Sequence, residues 1–272
     1  MRSATSYFNF TLLRKNFARF WPIWSLYGLF WLAVLPLNIL SNRIHWDGGM
    51  ARSLPLNYLD GGPSAGVWLA ALMGLLCAMA CFGYLYNNRS ACMMHALPLR
   101  REGLFLTNYL SGLLFLLLPN LAVFLLALAA EVFAGTVVFS SLFTWLVVVS
   151  LFGLFFYSFA VFCAMFTGHI LALPVFYGVL NGLALGIYAL IQSLLDQFYY
   201  GFFFQDPSGG PVYYLTPLYA LIDANGHIYN WSIDDPLLVA IYAGAGVVLA
   251  VLALLIYMAT SLLDLRGQIQ TA

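Results

Sequence analysis

Residues 104–133 read LFLTNYLSGLLFLLLPNLAVFLLALAAEVF, and this stretch decides the fold. It holds a single charged residue, Glu131, close to its end. A transmembrane helix needs about 20 predominantly apolar residues, so the run is long enough to cross a bilayer even though Pro119 and Asn120 interrupt it. We therefore expect a membrane-spanning helix here, in a protein that folds largely in lipid.

Five further apolar runs flank this one, and together they predict an all-α integral membrane protein with six transmembrane helices. The composition agrees, because 63% of the 272 residues are hydrophobic and 7% are charged, whereas a soluble domain has about 25% charged residues. We divide the chain into an interfacial helix over 1–20, a transmembrane domain over 21–258 and a tail over 259–272. The candidate spans are Trp21–Leu40, Val67–Tyr86, Leu104–Phe133, Ser141–Phe166, Ile170–Leu195 and Pro236–Met258.

The positive charges indicate an orientation. Of the 10 Lys and Arg residues, only Arg43 and Arg52 fall in the loops after odd-numbered spans. Cytoplasmic segments are enriched in Lys and Arg, so both termini are expected in the cytoplasm, and an even number of spans preserves that pattern. Charged residues are scarce inside the spans, with Glu131 and Asp196 near span ends. This scarcity weighs against an ion-coupled transporter.

The segment before the first span, Tyr7–Phe20, reads YFNFTLLRKNFARF. Its apolar residues recur at helical spacing, and Arg14, Lys15 and Arg19 are interleaved with them. Such a pattern is typical of a helix that lies in the membrane interface with its basic side toward anionic headgroups. The alternative is a positively charged anchor that only sets the topology.

The loop Asn87–Glu102 reads NNRSACMMHALPLRRE and lies on the side predicted to be cytoplasmic. It mixes apolar with basic side chains, which a solvated connector does not need. A short helix that docks into a groove of a soluble partner would need them. The alternative is a topology-setting loop that lies on the membrane.

The order of these elements resembles the permease subunits of ABC-2-type ATP-driven transporters. The string His95–Glu102, HALPLRRE, looks like the H-x-L-P-[LI]-[RK]-R segment of one bacterial group in that family, and LFLTNYL at 104–110 is also similar. The resemblance implies an exporter in a bacterial cell membrane that works with an ABC-type ATPase subunit and a second permease, the same or a related chain. It also implies a connecting helix at the N-terminus and a coupling helix over 93–101. The coupling residues carried over are Met93, Met94, His95, Leu97, Pro98, Leu99, Arg100 and Arg101.

Larger members of this group continue past the sixth span through a basic stretch, whereas this sequence ends at Ala272. A short member, a fragment and a product altered near its end are the three readings of that difference. The ATPase is not expected in this chain, because a phosphate-binding loop needs G-x-x-x-x-G-K-[ST] and the only lysine, Lys15, follows no such run. We expect no enzymatic activity and no cofactor. The alternative function is a non-catalytic membrane protein, such as an immunity, sensor or assembly factor.

Two smaller patterns complete the sequence. Gly178, Gly182 and Gly186 form a stripe at four-residue spacing, which lets another helix approach closely. Its partner is a helix of the same chain or of a second permease, and packing within the chain is the commoner outcome. Residues 62–66, GPSAG, match G-x-S-x-G, but a nucleophile elbow requires an α/β sheet around Ser64, so we expect a turn there and no hydrolase site. No metal site is expected at Cys77 and Cys81.

Overall fold

The computed structural model of the chain describes residues 9–41, 66–87, 100–134, 139–203, 210–226 and 234–270. Within these ranges the chain is helical and contains no strand. The helices are α1 (Phe10–Arg19), α2 (Trp21–Val34), α3 (Pro36–Ser41), α4 (Gly66–Tyr86, with a 3₁₀ turn over Gly83–Tyr86), α5 (Arg101–Ala134), α6 (Phe139–Phe166), α7 (Ala172–Phe198), α8 (Pro211–Leu215), α9 (Pro217–Gly226) and α10 (Asp234–Gln270).

Five of the described helices, α4, α5, α6, α7 and α10, are long and apolar enough to cross a membrane. Over the described residues the predicted all-α fold is therefore confirmed, with five helices of the length and composition that membrane-spanning helices need. α5 starts three residues before the predicted span, at Arg101, and continues through Pro119 without a break. α10 continues to Gln270, beyond the predicted span end at Met258, because no proline follows Pro236 to stop it.

The first predicted span, Trp21–Leu40, is divided in the structure. α2 has 14 residues and ends at Val34, and after Leu35 the chain continues as the six-residue α3. Pro36 explains the division, since proline lacks the backbone N–H that would bond the preceding turn, while Leu35 before it keeps a helical conformation with φ −92° and ψ −73°. Fourteen residues rise about 21 Å, which is less than the bilayer's hydrocarbon thickness of about 30 Å.

α6 is the central helix of the bundle. α5 and α10 pack along it, and α4 approaches it so closely that a Cβ on Gly74 would lie 2.8 Å from the Tyr157 backbone nitrogen. On α10, a Cβ on Gly246 would lie 2.9 Å from the Phe155 Cα. α2 also reaches this core, where the Trp31 ring meets the Trp145 ring edge-on at 5.0 Å. The two glycines permit helix contacts that any larger residue would prevent.

α7 lies at the periphery of this core. In the most apolar 18-residue stretch of α7 only 11% of the residues are buried, whereas the corresponding stretch of α6 is 61% buried. Its few buried residues include Tyr177, whose hydroxyl donates a hydrogen bond to the Ala71 carbonyl of α4 at 3.2 Å. Most of the remaining surface of α7 is apolar and exposed.

The long loop Asp196–Asp235 contains runs that are too apolar for a solvated loop, so its sequence predicts re-entrant or interfacial pieces, and Asp223–His227 predicts a turn. It contains the short helices α8 and α9, which contact each other, α7 and, from α9, α10. α9 runs to Gly226, so the start of the expected turn is helical instead. A helix fits there because residues 218–224, LYALIDA, contain no proline or glycine to break it. His227 lies outside the described residues.

Candidate functional site

The predicted coupling segment is described only at its end. Arg100 is exposed, and Arg101 is the half-buried first residue of α5. The segment therefore leads directly into α5, which among the described helices is second in length to α10. The other coupling residues lie outside the described part of the chain: Met93, Met94, His95, Leu97, Pro98 and Leu99.

α1 is an amphipathic helix with a defined start. Asn9 caps it, because its Oδ1 accepts hydrogen bonds from the backbone nitrogens of Thr11 at 2.9 Å and Leu12 at 3.2 Å. Leu12 is buried, whereas the basic side chains are exposed. The sequence-predicted separation of apolar and basic sides is thus present, and the apolar side packs on α5. The exposed basic residues are Arg14, Lys15 and Arg19.

Polar side chains join α1 to the first turns of α5. Asn16 is buried, and its Nδ2 donates to Asn108 Oδ1 at 3.0 Å and to Ser111 Oγ at 3.2 Å. The Asn9 backbone nitrogen donates to Thr107 Oγ1 at 3.3 Å. We call these five residues the α1–α5 latch. Buried hydrogen-bond networks of this kind fix one relative position of two helices, because any shift leaves polar groups unsatisfied.

Aromatic contacts extend the latch toward the bundle centre. The Phe17 ring of α1 meets the Phe115 ring of α5 edge-on at 4.8 Å. Trp24 Nε1, on α2, donates to the Phe17 carbonyl at 3.3 Å. α1 is therefore held against α5 by the polar bonds of Asn9 and Asn16 and by the packing of Phe17, and α2 follows from that position.

A second set of polar contacts joins α5 to α6. The Tyr109 and Ser158 hydroxyls are hydrogen-bonded at 2.7 Å, and the Tyr157 hydroxyl donates to the Tyr109 carbonyl at 3.1 Å. Asn108 and Ser111 of α5 and Ser158 of α6 thus take part in helix packing. Asn120 is also buried, without a hydrogen bond of good geometry to any described residue.

The glycine stripe on α7 lies on an open surface. A Cβ added at Gly178, Gly182 or Gly186 would meet no atom within 4 Å. The three glycines form the floor of an apolar groove on α7, whose walls include Leu183 and Leu190. Packing of the stripe within the chain was the commoner expectation, and the described residues provide no partner helix for it.

The remaining sequence patterns contribute no chemistry in the described ranges. Cys77, Cys81 and Cys163 are buried free thiols. No group of three His, Cys, Asp or Glu residues placed to hold a metal ion occurs among the described residues. Ser64 lies outside them.

Sequence reasoning missed Asn16, the residue at the centre of the latch. Its signal was its position, four residues after Leu12 and four before Phe20, on the stripe that is otherwise apolar. A polar residue on the buried stripe of an amphipathic helix needs a hydrogen-bond partner, and Asn108 and Ser111 supply it.

Comparison with models of known protein families gives no match, and comparison with curated proteins gives none either. The resemblance to ABC-2 permeases therefore depends on the residues quoted from the sequence alone.

Proposed function

We propose that this chain is the transmembrane permease subunit of an ATP-driven ABC transporter of the ABC-2 type. In this proposal it is an exporter subunit in a bacterial cell membrane, and a separate ATP-binding subunit supplies the energy. The lack of a phosphate-binding loop in the sequence supports a division of labour between chains.

Six crossings follow if α2 and α3 act together as a bent first span. Residues 21–41 at about 1.5 Å per residue cover roughly 31 Å, close to the hydrocarbon thickness. With the five long helices this gives an even number of crossings, which keeps both termini and most Lys and Arg residues in the cytoplasm.

This orientation is tested by labelling single cysteines in a background that lacks the native ones. Ser3→Cys and Gln270→Cys should react only after the membrane is opened, and Ser208→Cys should react with an impermeant reagent in intact cells. Labelling of residue 3 or 270 from outside, or protection of residue 208, would contradict the topology.

The observation that carries the proposal is the continuity from the coupling segment into the bundle. Residues 93–101 lead into α5 at Arg101, and within three turns α5 carries Thr107, Asn108 and Ser111 of the latch. A push on the segment would therefore move α5 and α1 as one unit. A rigid unit of this kind is what a permease needs to convert closure of an ATPase pair into movement of its spans.

The exposed side of α7 supports a second permease as partner. In lipid, helices associate through close packing at small residues, and the open stripe at Gly178, Gly182 and Gly186 offers such a surface. We propose that this partner is a second copy of the chain, because the same stripe then serves both partners around a two-fold axis.

The test of the function is purification of the tagged chain from its own cell membranes in mild detergent. A protein with a phosphate-binding loop should co-purify in a fixed ratio, and the complex should hydrolyse ATP. A chain that purifies without any such subunit, at full membrane insertion, would favour the immunity, sensor or assembly class instead.

A further inference from the structure

A cavity of about 320 Å³ lies at the end of the bundle where α1 is attached. It is bounded by α1, the last turns of α4, the first turns of α5 and the connection between α6 and α7. Its polar lining includes Asn16, Arg19, Tyr84 and Asn108, and its apolar lining includes Met79 and Ile170. The latch accounts for Asn16 and for the Oδ1 of Asn108 but leaves the rest of this lining unexplained.

Two buried polar groups of the lining lack hydrogen-bond partners. Asn108 is 1% exposed, and its Oδ1 is used by Asn16, but its Nδ2 meets no acceptor. Tyr84 is 9% exposed, and its hydroxyl lies near the Tyr257 hydroxyl and the Asn108 amide without a bond of good geometry to either. Buried groups of this kind are rare in folded proteins and point to a partner that completes them.

The lining favours an anion as that partner. The unused group of Asn108 is a donor, the Tyr84 hydroxyl can donate, and Arg19 only donates. No described lining residue is a carboxylate. The Arg19 guanidinium carbon lies 5.2 Å from the centre of the Phe20 ring, which also lines the cavity, so the cation is held at its rim. A water molecule would satisfy the donors, but an anion would also form an ion pair with Arg19, which is exposed at the rim.

The position of the cavity favours an amphiphile over a small ion. It opens at the ends of membrane-length helices, beside the basic α1 helix, where the headgroup layer is expected. Met79 and Ile170 give it an apolar side that a free ion would not use. Basic pockets between membrane helices bind anionic lipid headgroups in this way.

We propose that this cavity binds the phosphate group of an anionic phospholipid. The phosphate accepts hydrogen bonds from Arg19, Tyr84 and Asn108, and the acyl chains lie along Met79 and Ile170. The bound lipid then joins α1 to α4 and α5, so it stabilises the same end of the bundle as the latch. This inference does not depend on an ATPase partner.

The test uses the full chain, purified in detergent and stripped of lipid, with short-chain phosphatidylglycerol, short-chain phosphatidylcholine and inorganic phosphate as separate probes. Binding is measured by native mass spectrometry and by the shift in melting temperature. Phosphatidylglycerol should bind at one site and raise the melting temperature more than either other probe.

Three variants locate the site. Arg19→Gln should weaken phosphatidylglycerol binding about tenfold or more, since it removes a charge-assisted hydrogen bond, and Tyr84→Phe should weaken it by roughly threefold to tenfold. Arg14→Gln is the matched control, because Arg14 is exposed on the same helix and does not line the cavity. Tyr84→Phe removes only a hydroxyl that makes no hydrogen bond of good geometry, so the fold should persist.

Equal losses in Arg14→Gln and Arg19→Gln would show a diffuse surface attraction and overturn the site. Equal binding of phosphatidylcholine and phosphatidylglycerol would overturn the requirement for an anion. Inorganic phosphate that binds as well as phosphatidylglycerol and displaces it would assign the cavity to free phosphate and overturn the lipid. No response to any of the three probes would mean that the cavity holds only water, which would also overturn the lipid site.

Discussion

Among the described glycines, two groups lie in regions with opposite environments. Gly74 and Gly246 lie on α4 and α10, where a Cβ would come within 2.9 Å of the α6 backbone. The glycines of the α7 stripe, such as Gly182, would meet nothing within 4 Å. The first region uses glycine to build the fold, and the second presents the same residue type on an open surface. Glycine spacing alone does not distinguish the two uses, because only the structure shows what lies opposite.

The largest effect is expected at Gly74. Gly74→Leu places side-chain atoms against the Tyr157 nitrogen and the Phe156 carbonyl carbon, both backbone atoms that cannot rotate away. Folded protein should be lost, as measured by size-exclusion chromatography of the tagged chain. Gly74→Ala should lower the free energy of unfolding by roughly 1–3 kcal/mol, the usual cost of overpacking. Wild-type yield and melting temperature for Gly74→Leu would remove the distinction between the two regions.

Gly182→Leu should instead leave the fold intact and weaken self-association. No atom of the described residues lies near enough to clash, but a bulky side chain keeps a second α7 at a distance. The dimer should dissociate at least about tenfold more readily, which single-molecule photobleaching in liposomes measures. A melting temperature reduced as far as in Gly74→Ala would mean that α7 packs within the chain. Unchanged association with an unchanged fold would mean that the stripe is incidental.

Polar residues in the packed bundle and on the open surface of α7 should differ in the same way as the glycines. Asn16→Leu leaves Asn108 Oδ1 buried without its donor, which should destabilise the attachment of α1 by roughly 1–3 kcal/mol. Ser193→Ala on α7 should have almost no effect, because Ser193 is exposed and bonds only its own helix, at the Ala189 carbonyl. Hydrogen exchange of residues 10–19 reports the first change. Full protection there in Asn16→Leu would contradict the role given to the latch.

The smallest expected effect is a difference in sign. Gly178→Ala should raise the free energy of unfolding by about 0.5–1 kcal/mol, because alanine is the better helix former and no clash opposes it. Gly246→Ala should lower it, because the new Cβ would lie 2.9 Å from Phe155 Cα. Equilibrium unfolding in detergent compares the two, and the same sign for both would contradict the assigned environments.

The membrane helices were predictable because a long apolar run has few alternatives to a spanning helix. The effects of the prolines were not. Pro36 separates α2 from α3, whereas α5 continues through Pro119. Both prolines are packed against neighbouring helices: Pro36 is buried in α3, which contacts α5, and a Cβ on Gly28 of α2 would lie 3.3 Å from the Pro119 Cβ. The local sequence therefore does not show which of the two prolines divides a helix.

The candidate site was predictable in kind more than in detail. Asn108 and Ser111 were visible as polar residues in an apolar span, but their partner Asn16 lies more than 90 positions away in sequence. The spacing of the α7 glycines was visible as well, but not the open surface on which they lie. The coupling residues 93–99 lie outside the described residues, so their role stays a prediction from the sequence.

The most direct test of the central claim compares Leu97→Asp with Arg101→Ala. If the segment docks into the ATP-binding subunit, Leu97 fills an apolar pocket whose burial is worth roughly 1.5–3 kcal/mol. A charge at the rim of the contact is worth less, about 0–1 kcal/mol. The amount of ATP-binding subunit that co-purifies with each variant, at equal membrane insertion, decides the matter. Leu97→Asp should lose most of the bound ATPase, whereas Arg101→Ala should retain most of it. Undiminished ATPase binding and ATP hydrolysis in Leu97→Asp would contradict the docking.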